Sequence, residues 1–282
     1  KQAISALCCL SCDTEFAHYA SEQWRFVLLA GEVTAYLAQE DGEVLGSIVT
    51  VAYAQHVALG MMLVKPYARG RGIARRLLQT ALSECKGGGL RILCACSKLG
   101  EPLYRNMGFV PVGVVTKLSM PYSDAADVAA DINAVAITVC NDDAAWAELV
   151  RWDRLASGLN RTQTLAALLS SGAEIAIAKD LEGVVLGVGM AQLDRSTLAV
   201  GPLCGEKSIA IPLVKALASH FSAKSKALQQ ISLIIADHAC LVRRLEHSGF
   251  RVRFANDTMT LKGSPLLGDR SMYLAIIHPP LA

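Results

Sequence analysis

The sequence predicts a mixed αβ fold of the α+β class, built from two related halves. Three observations carry this. A strand–turn–strand pattern occurs twice, as "AYLAQEDGEVLGSIVTVAY" and as "AEIAIAKDLEGVVLGVGMAQL", with turns at Asp41-Gly42 and near Glu182-Gly183. Each is followed by a strand, a short polar turn and a helix: "VALGMMLV", "KPYARGRG", "IARRLLQTALSEC", and then "STLAVGPL", "CGEKS", "IAIPLVKALASHF". Each half next shows a β-run and a short helix ending in Gly-Phe, at Gly108-Phe109 and at Gly249-Phe250. A glycine there suits a helix C-terminus, and the phenylalanine starts the next strand. Order kept through this many elements marks an internal repeat.

Length and composition agree with two domains. The chain has 282 residues, 52% of them hydrophobic, enough for two ordinary cores. We place the first domain at residues 1–118, a connector at 119–134 where Pro121, Ser123 and several aspartates gather, and the second domain at 135–282. "DAAWAELVRWDRLASG" opens the second domain as a helix, with Ala145, Leu149, Trp152 and Leu155 near helical spacing. The start, "KQAISALCCLSC", is a poor signal peptide and reads as part of a folded domain.

The totals also exclude functions. Basic and acidic residues number 27 and 25, so a dedicated nucleic-acid binder is disfavoured. The most apolar long stretch, "AADVAADINAVAITVC", is broken by Asp127, Asp131 and Asn133, and no run reaches the ~20 apolar residues of a membrane span. Nine cysteines are scattered; the Cys9-x-x-Cys12 pair has no matching pair or histidine cluster, so no metal site is expected. Reduced, mostly buried thiols point to the cytoplasm.

Chemistry concentrates at "KPYARGRGIARRLL". Ile73, Ala74, Leu77, Leu78, Ala81, Leu82 and Cys85 give the following helix one apolar face, and "KGGG" stops it. The preceding strand ends at Val64, since Pro66 cannot continue a ladder. Arg69 to Ala74 therefore lies between a strand end and a helix N-terminus, where backbone N–H groups are unpaired and the dipole is positive. Gly70, Gly72 and Ala74 let an anion approach the backbone, and Arg69, Arg71 and Arg75 add charge. The chemistry favoured is pyrophosphate binding. The plainer reading is a glycine-rich turn with solvated arginines. No Gly-Lys-Ser/Thr closes the loop, and it lacks the dinucleotide fingerprint.

Arg69-Gly-Arg-Gly72-Ile-Ala74 resembles motif A, Arg/Gln-x-x-Gly-x-Gly/Ala, of the GNAT family of acyl-CoA N-acyltransferases. Downstream, "EPLYRNMGF" looks like that family's Leu-Tyr-x-x-x-Gly-Phe segment, and the match covers about residues 33–118. The second half is similar more weakly, through "VVLGVGMA", "VGPL" and "LEHSGF". The resemblance implies two GNAT-type domains, each a largely antiparallel twisted central sheet flanked by helices, with acetyl-CoA as co-substrate. It implies that Gly70 through Arg75, Ile73 included, hold the pyrophosphate, and that the pantetheine pairs with main chain at Met62, Leu63 and Val64. A backbone N–H near Val64 would face the oxyanion. Tyr104 would serve as the acid for the leaving thiolate; the plainer reading is a core tyrosine. His56, His18, Glu22 and Glu32 are weak candidates for a base, and a water chain is an equal one. Cys85, Cys94 and Cys96 are assigned to packing.

The second half departs from the motif. Gly205-Glu206-Lys207-Ser208-Ile209-Ala210 replaces both motif glycines, Pro212 falls early in the helix, and Leu245 stands where Tyr104 does. It is expected not to bind acetyl-CoA productively. Asp237 and His238 are candidate pocket groups, or simply a polar strand end. The function expected is acetyl transfer to a primary amine, of a small molecule or of a larger one; the alternative is an inactive module that senses CoA. Neither nucleic acid nor membrane is an expected partner, and a homodimer is left open.

Overall fold

The computed structural model describes residues 2–14, 24, 27–29, 31–54, 56–85, 89–123, 135–276 and 278. The first half runs α1 (Gln2–Cys12), β1 (Glu32–Glu40), β2 (Glu43–Tyr53), β3 (His56–Val64), α2 (Ile73–Glu84), β4 (Leu90–Cys96), α3 (Glu101–Asn106) and β5 (Phe109–Pro121). The second runs β6 (Ala136–Val139), α4 (Asp143–Ser157), α5 (Thr162–Ser170), β7 (Glu174–Lys179), β8 (Val185–Asp194), β9 (Thr197–Gly205), α6 (Ala210–Lys224), β10 (Gln230–Ala236), α7 (Ala239–His247), β11 (Arg251–Leu261) and β12 (Tyr273–Ile276).

Local sequence explains most of these elements. Asp41 and Gly42 both have positive φ, the two-residue turn whose twist matches a hairpin. Residues 73–84 bury Ile73, Leu77, Leu78 and Ala81, the stripe that the spacing predicts. Lys86, Gly87 and Gly88, expected to stop this helix, lie outside the described residues. Asp142 caps α4 by accepting from the Ala145 N–H at 2.8 Å, and Gly158 closes it in the left-handed region. One expectation fails on that helix. Leu155 is 50% exposed, and Ala156 takes the buried place. An ideal 3.6-residue period reaches 156, not 155, from Leu149 through Trp152.

The strands form one sheet in the order β1-β2-β3-β4-β11-β5-β10-β12-β9-β8-β7-β6, antiparallel except for β3–β4 and β9–β10. The halves exchange strands at the centre. β11 of the second half pairs with β4 of the first, and β5 of the first pairs with β10 of the second. Residues 119–121, assigned above to the connector, still belong to β5, where Ser119 and Met120 pair with Ser232 and Ile231. Residues 124–134 of that connector lie outside the described residues.

Each half opens at the same place. β3 and β4 pair only from His56↔Leu90 to Leu59↔Leu93, and β9 and β10 only from Thr197↔Gln230 to Val200↔Leu233. Beyond those pairs the strands diverge. Both openings follow an irregularity on the far side, where residues between Gly60 and Leu63, and between Val200 and Leu203, have no one-to-one partner. Helices cover both sheet faces. In the first half α1 covers Val49, Val51, Met61 and Leu63, while α2 and Tyr104 cover Ile48, Leu59, Leu93 and Cys96.

A buried ion pair anchors α4 to the start of α5. Arg161 donates to both Asp153 oxygens, at 2.5 and 3.1 Å, and each residue is 1% exposed. Asp153→Ala leaves a guanidinium in the core without its carboxylate and is expected to cost about 3 kcal/mol. Urea unfolding of variant and parent checks this.

Candidate functional site

The opening between β3 and β4 is bounded by residues 60–64 on one side and by Cys94–Cys96 on the other. Among the described residues no strand takes the β4-facing side of Gly60–Val64. Met62, Leu63 and Val64 thus lie where a peptide-like chain can add to the sheet by main-chain hydrogen bonds. A short 3-10 turn, Pro66–Ala68, carries the chain from Val64 to the start of α2.

Gly70 and Gly72 have φ of 77° and 75°, so both sit in the left-handed region that favours glycine. A Cβ at either would meet nothing within 4 Å, so conformation, not crowding, demands glycine here, and the space before the backbone is open. The first bond of α2 runs from the Arg76 N–H to the Gly72 carbonyl at 3.1 Å. Among the described residues nothing accepts from the N–H groups of Gly70, Arg71, Gly72, Ile73, Ala74 and Arg75. These donors, on the positive end of a helix dipole, fit a pyrophosphate.

The arginines do not all face that space. The Arg71 guanidinium forms a bidentate pair with Glu40 at 2.7 and 2.9 Å. Hydrogen bonding by Arg71 holds the Glu40 carboxyl below its ordinary range. Arg69 donates through Nε to the Val64 carbonyl at 3.2 Å, tying the loop to the strand end. Arg75 is exposed on the first turn of α2. Lys65 is held by Asp13 at 2.8 Å and Glu43 at 2.6 Å, and its pKa is raised by those hydrogen bonds, Asp13 first.

Tyr104 lies on α3, which Pro102 starts, and is 6% exposed. Gly100 seats it: a Cβ there would lie 2.7 Å from the ring. Phe109 packs against the ring edge with centroids 6.4 Å apart. Burial, and then the Cys96 thiol, push its pKa above the ordinary tyrosine value of 10.0, so the phenol keeps its proton at neutral pH. Its hydroxyl makes no hydrogen bond among the described residues and is free to donate one. Tyr104 and Cys96 lie on the α2 face of the sheet, whereas Cys94 packs into the cluster on the α4 face.

The base candidates fall elsewhere. His56 starts β3, six residues before Met62, about 20 Å of extended strand away. It is 4% exposed and packs edge-on against Tyr53. Both His56 and Glu32 line a cleft of about 670 Å³ at that far end, together with Arg91, Arg161 and Thr164. His18 and Glu22 lie outside the described residues. Cys85 is half-buried, with its pKa raised by burial, which suits packing. No cluster of His, Cys, Asp and Glu suited to a metal occurs among the described residues.

The second half is closed where the first is open. β12 lies between β9 and β10 beyond their last pair, with Ala275 opposite both Leu203 and Ile235. It uses the main chain that β3 and β4 leave free. His238 helps hold it, with Nε2 3.1 Å from the Tyr273 carbonyl oxygen. Asp237 has φ of 51° and donates its N–H to Val114 at 2.7 Å. The His238 ring and the Asp237 main chain are thus engaged within the fold. The turn 205–210 has no left-handed glycine at the helix start, and a Cβ on Gly205 would lie 2.5 Å from Gly187. Leu245 is fully buried in the core. The apolar run of β12 carries a strand signal, but nothing in it names its neighbours.

Two family models match the chain, both described as an acetyltransferase (GNAT) domain, over residues 2–117 and 149–274. The chain belongs to the GNAT family, as a tandem GNAT protein. The N-acetyltransferase YitH of Bacillus subtilis, itself uncharacterised, is 24% identical over 224 residues, covering 78% of this chain and 76% of YitH. A structure from Pyrococcus horikoshii, assigned as an acetyltransferase, superposes with a TM-score of 0.78 at 18% identity, over 99% of this chain and 92% of that one. A tandem GNAT protein from the clavulanic acid biosynthesis pathway gives 0.70 at 15% identity, over 94% and 96%. No helix among the described residues of this tandem GNAT protein is long and apolar enough to cross a membrane.

Proposed function

We propose that the first half transfers an acetyl group from acetyl-CoA to a primary amine by direct attack, and that the second half does not bind the co-substrate. The observation that carries this is the pairing of an open β3–β4 edge with free N–H groups at Gly70–Arg75, against an equivalent opening that β12 fills. Acetyl-CoA, when bound, supplies an acyl group already activated as a thioester. Met62–Val64 offer main chain to the pantetheine arm, and the start of α2 holds the pyrophosphate. A backbone N–H near Val64 faces the oxygen on which negative charge develops. Tyr104 holds a proton for the departing sulfur. The amine must arrive neutral; as its bond to the acetyl carbon forms, its spare proton passes to water.

The remaining readings follow the same chemistry. The acceptor is a small molecule or an amino group of a larger one. Near-balanced charge and nine free thiols support an enzyme of the cytoplasm that engages neither nucleic acid nor membrane. The two domains divide after the end of β5 at Pro121, within residues 122–134. A screen of amines with thiol release as readout tests the activity. Release that depends on amine identity supports transfer; slow release insensitive to every amine supports a CoA sensor instead.

The raised pKa of Tyr104 also predicts a pH profile. A phenol with a raised pKa stays protonated as pH rises through its ordinary value, and is lost as an acid only above that. Activity is therefore expected to show no fall from this group below about pH 10. A kcat profile taken to the alkaline limit of stability checks it.

A further inference from the structure

The segment between β11 and β12 crosses the face of the first half opposite Tyr104. Leu266 packs on the cluster that contains Leu7, Leu10, Met61 and Leu63. Asp269 donates its N–H to the Leu155 carbonyl at 2.9 Å, and Gly268 fits so closely that a Cβ would lie 2.4 Å from the Ala156 carbonyl oxygen and from the Gly158 nitrogen. The segment is thereby fixed beneath the β3–β4 opening.

It carries Arg270, whose guanidinium carbon lies 4.5 Å from the centroid of the Tyr273 ring. Arg161 sits 5.1 Å from the same centroid, so one ring has two guanidinium neighbours. Asp153 neutralises Arg161. Among the described residues no carboxylate pairs with Arg270, and its guanidinium makes no hydrogen bond. The cluster therefore keeps one unbalanced positive charge, although Arg270 is half-buried and burial lowers its pKa. A second group is unsatisfied too. The Tyr273 hydroxyl is buried, in a residue 0% exposed, with no hydrogen-bond partner. An unpaired, partly desolvated cation is costly unless a ligand answers it.

Their position bears on the reaction. Cys94, the residue after the last β3–β4 pair, packs into the same cluster as Tyr273. The opening thus has Tyr104 on one face, while Arg270 lies close enough to Cys94 on the other to feel its charge. We infer that Arg270 recognises a carboxylate on the acceptor, so that the amine presented at the β3–β4 opening belongs to an amino acid or a similar amino-carboxylate. This rests on the acetyl transfer proposed above and adds to it the acceptor's class.

The test compares the common amino acids with their decarboxylated amines (ornithine with putrescine, lysine with cadaverine, histidine with histamine), following thiol release. Acetyl-CoA binding is measured separately by calorimetry. The carboxylated member of a pair is expected to be the better acceptor. Arg270→Gln should lower its kcat/KM about ten- to a hundredfold, mainly through KM, and leave acetyl-CoA affinity unchanged. Arg270→Lys should recover part of the loss. A structural role for Arg270 predicts a lower unfolding temperature in Arg270→Gln; removal of an unpaired charge predicts an equal or higher one. The inference is overturned if decarboxylated amines react as well as their partners, if Arg270→Gln leaves the preference intact, or if acetyl-CoA binds but no amino-carboxylate is turned over. Failure of acetyl-CoA to bind at all overturns the acetyl-transfer reading itself.

Discussion

Gly72→Glu is expected to lower acetyl-CoA affinity at least about a hundredfold, or about 2.7 kcal/mol. Two effects combine. The residue sits at φ 75° as the N-cap of α2, a conformation that costs a residue with a Cβ about 1 kcal/mol. The new carboxylate would also stand among the free N–H groups of residues 70–75, taking the place of the anion they are arranged to receive. Gly72→Ala separates the two, because its Cβ meets nothing within 4 Å and adds no charge. It should lose about tenfold or less. Ser208→Glu makes the corresponding change in the second half and should leave affinity unchanged. Isothermal calorimetry on the three variants distinguishes a phosphate cradle from a solvated turn.

Tyr104→Phe is expected to reduce kcat by about a hundred- to a thousandfold while acetyl-CoA binds as before. The change removes one hydroxyl from a ring seated by Gly100 and Phe109, with no loss of apolar packing. A hydroxyl that makes no hydrogen bond among the described residues contributes little to stability, so the unfolding temperature should hold. A kcat within threefold of the parent would return Tyr104 to the role of a core residue. A matching drop in acetyl-CoA affinity would point to binding rather than proton donation.

How far the sequence carried the site depends on where the information lies. The start of α2 was legible because glycine spacing, strand end and amphipathic helix are all local, and the left-handed φ of Gly70 and Gly72 is what those glycines permit. The repeat was legible for the same reason, element by element. The exchange of β5 and β11 was not, since "FVPVGVV" and "RVRFAND" alternate alike and nothing local says which neighbour each takes. Arg71 illustrates a second limit. Its charge suggests an anion ligand, and nothing local in the sequence announces that Glu40, distant in sequence, pairs with it across the turn. His56 shows a third: proximity in sequence to motif A put it near the chemistry, while strand rise carries it about 20 Å away. The departure of the second half from the motif is readable in Glu206, Ser208 and Leu245, but the filling of its opening is not. β12 fills the opening that a co-substrate would need, and a four-residue strand gives no sign of its destination.

We propose that one half of this tandem GNAT protein binds acetyl-CoA, while the opening of the other is filled by its own chain. The stoichiometry of acetyl-CoA binding to the unmodified protein, measured by calorimetry, tests it most directly. A single site per chain is expected; two sites per chain, or none, would overturn the proposal.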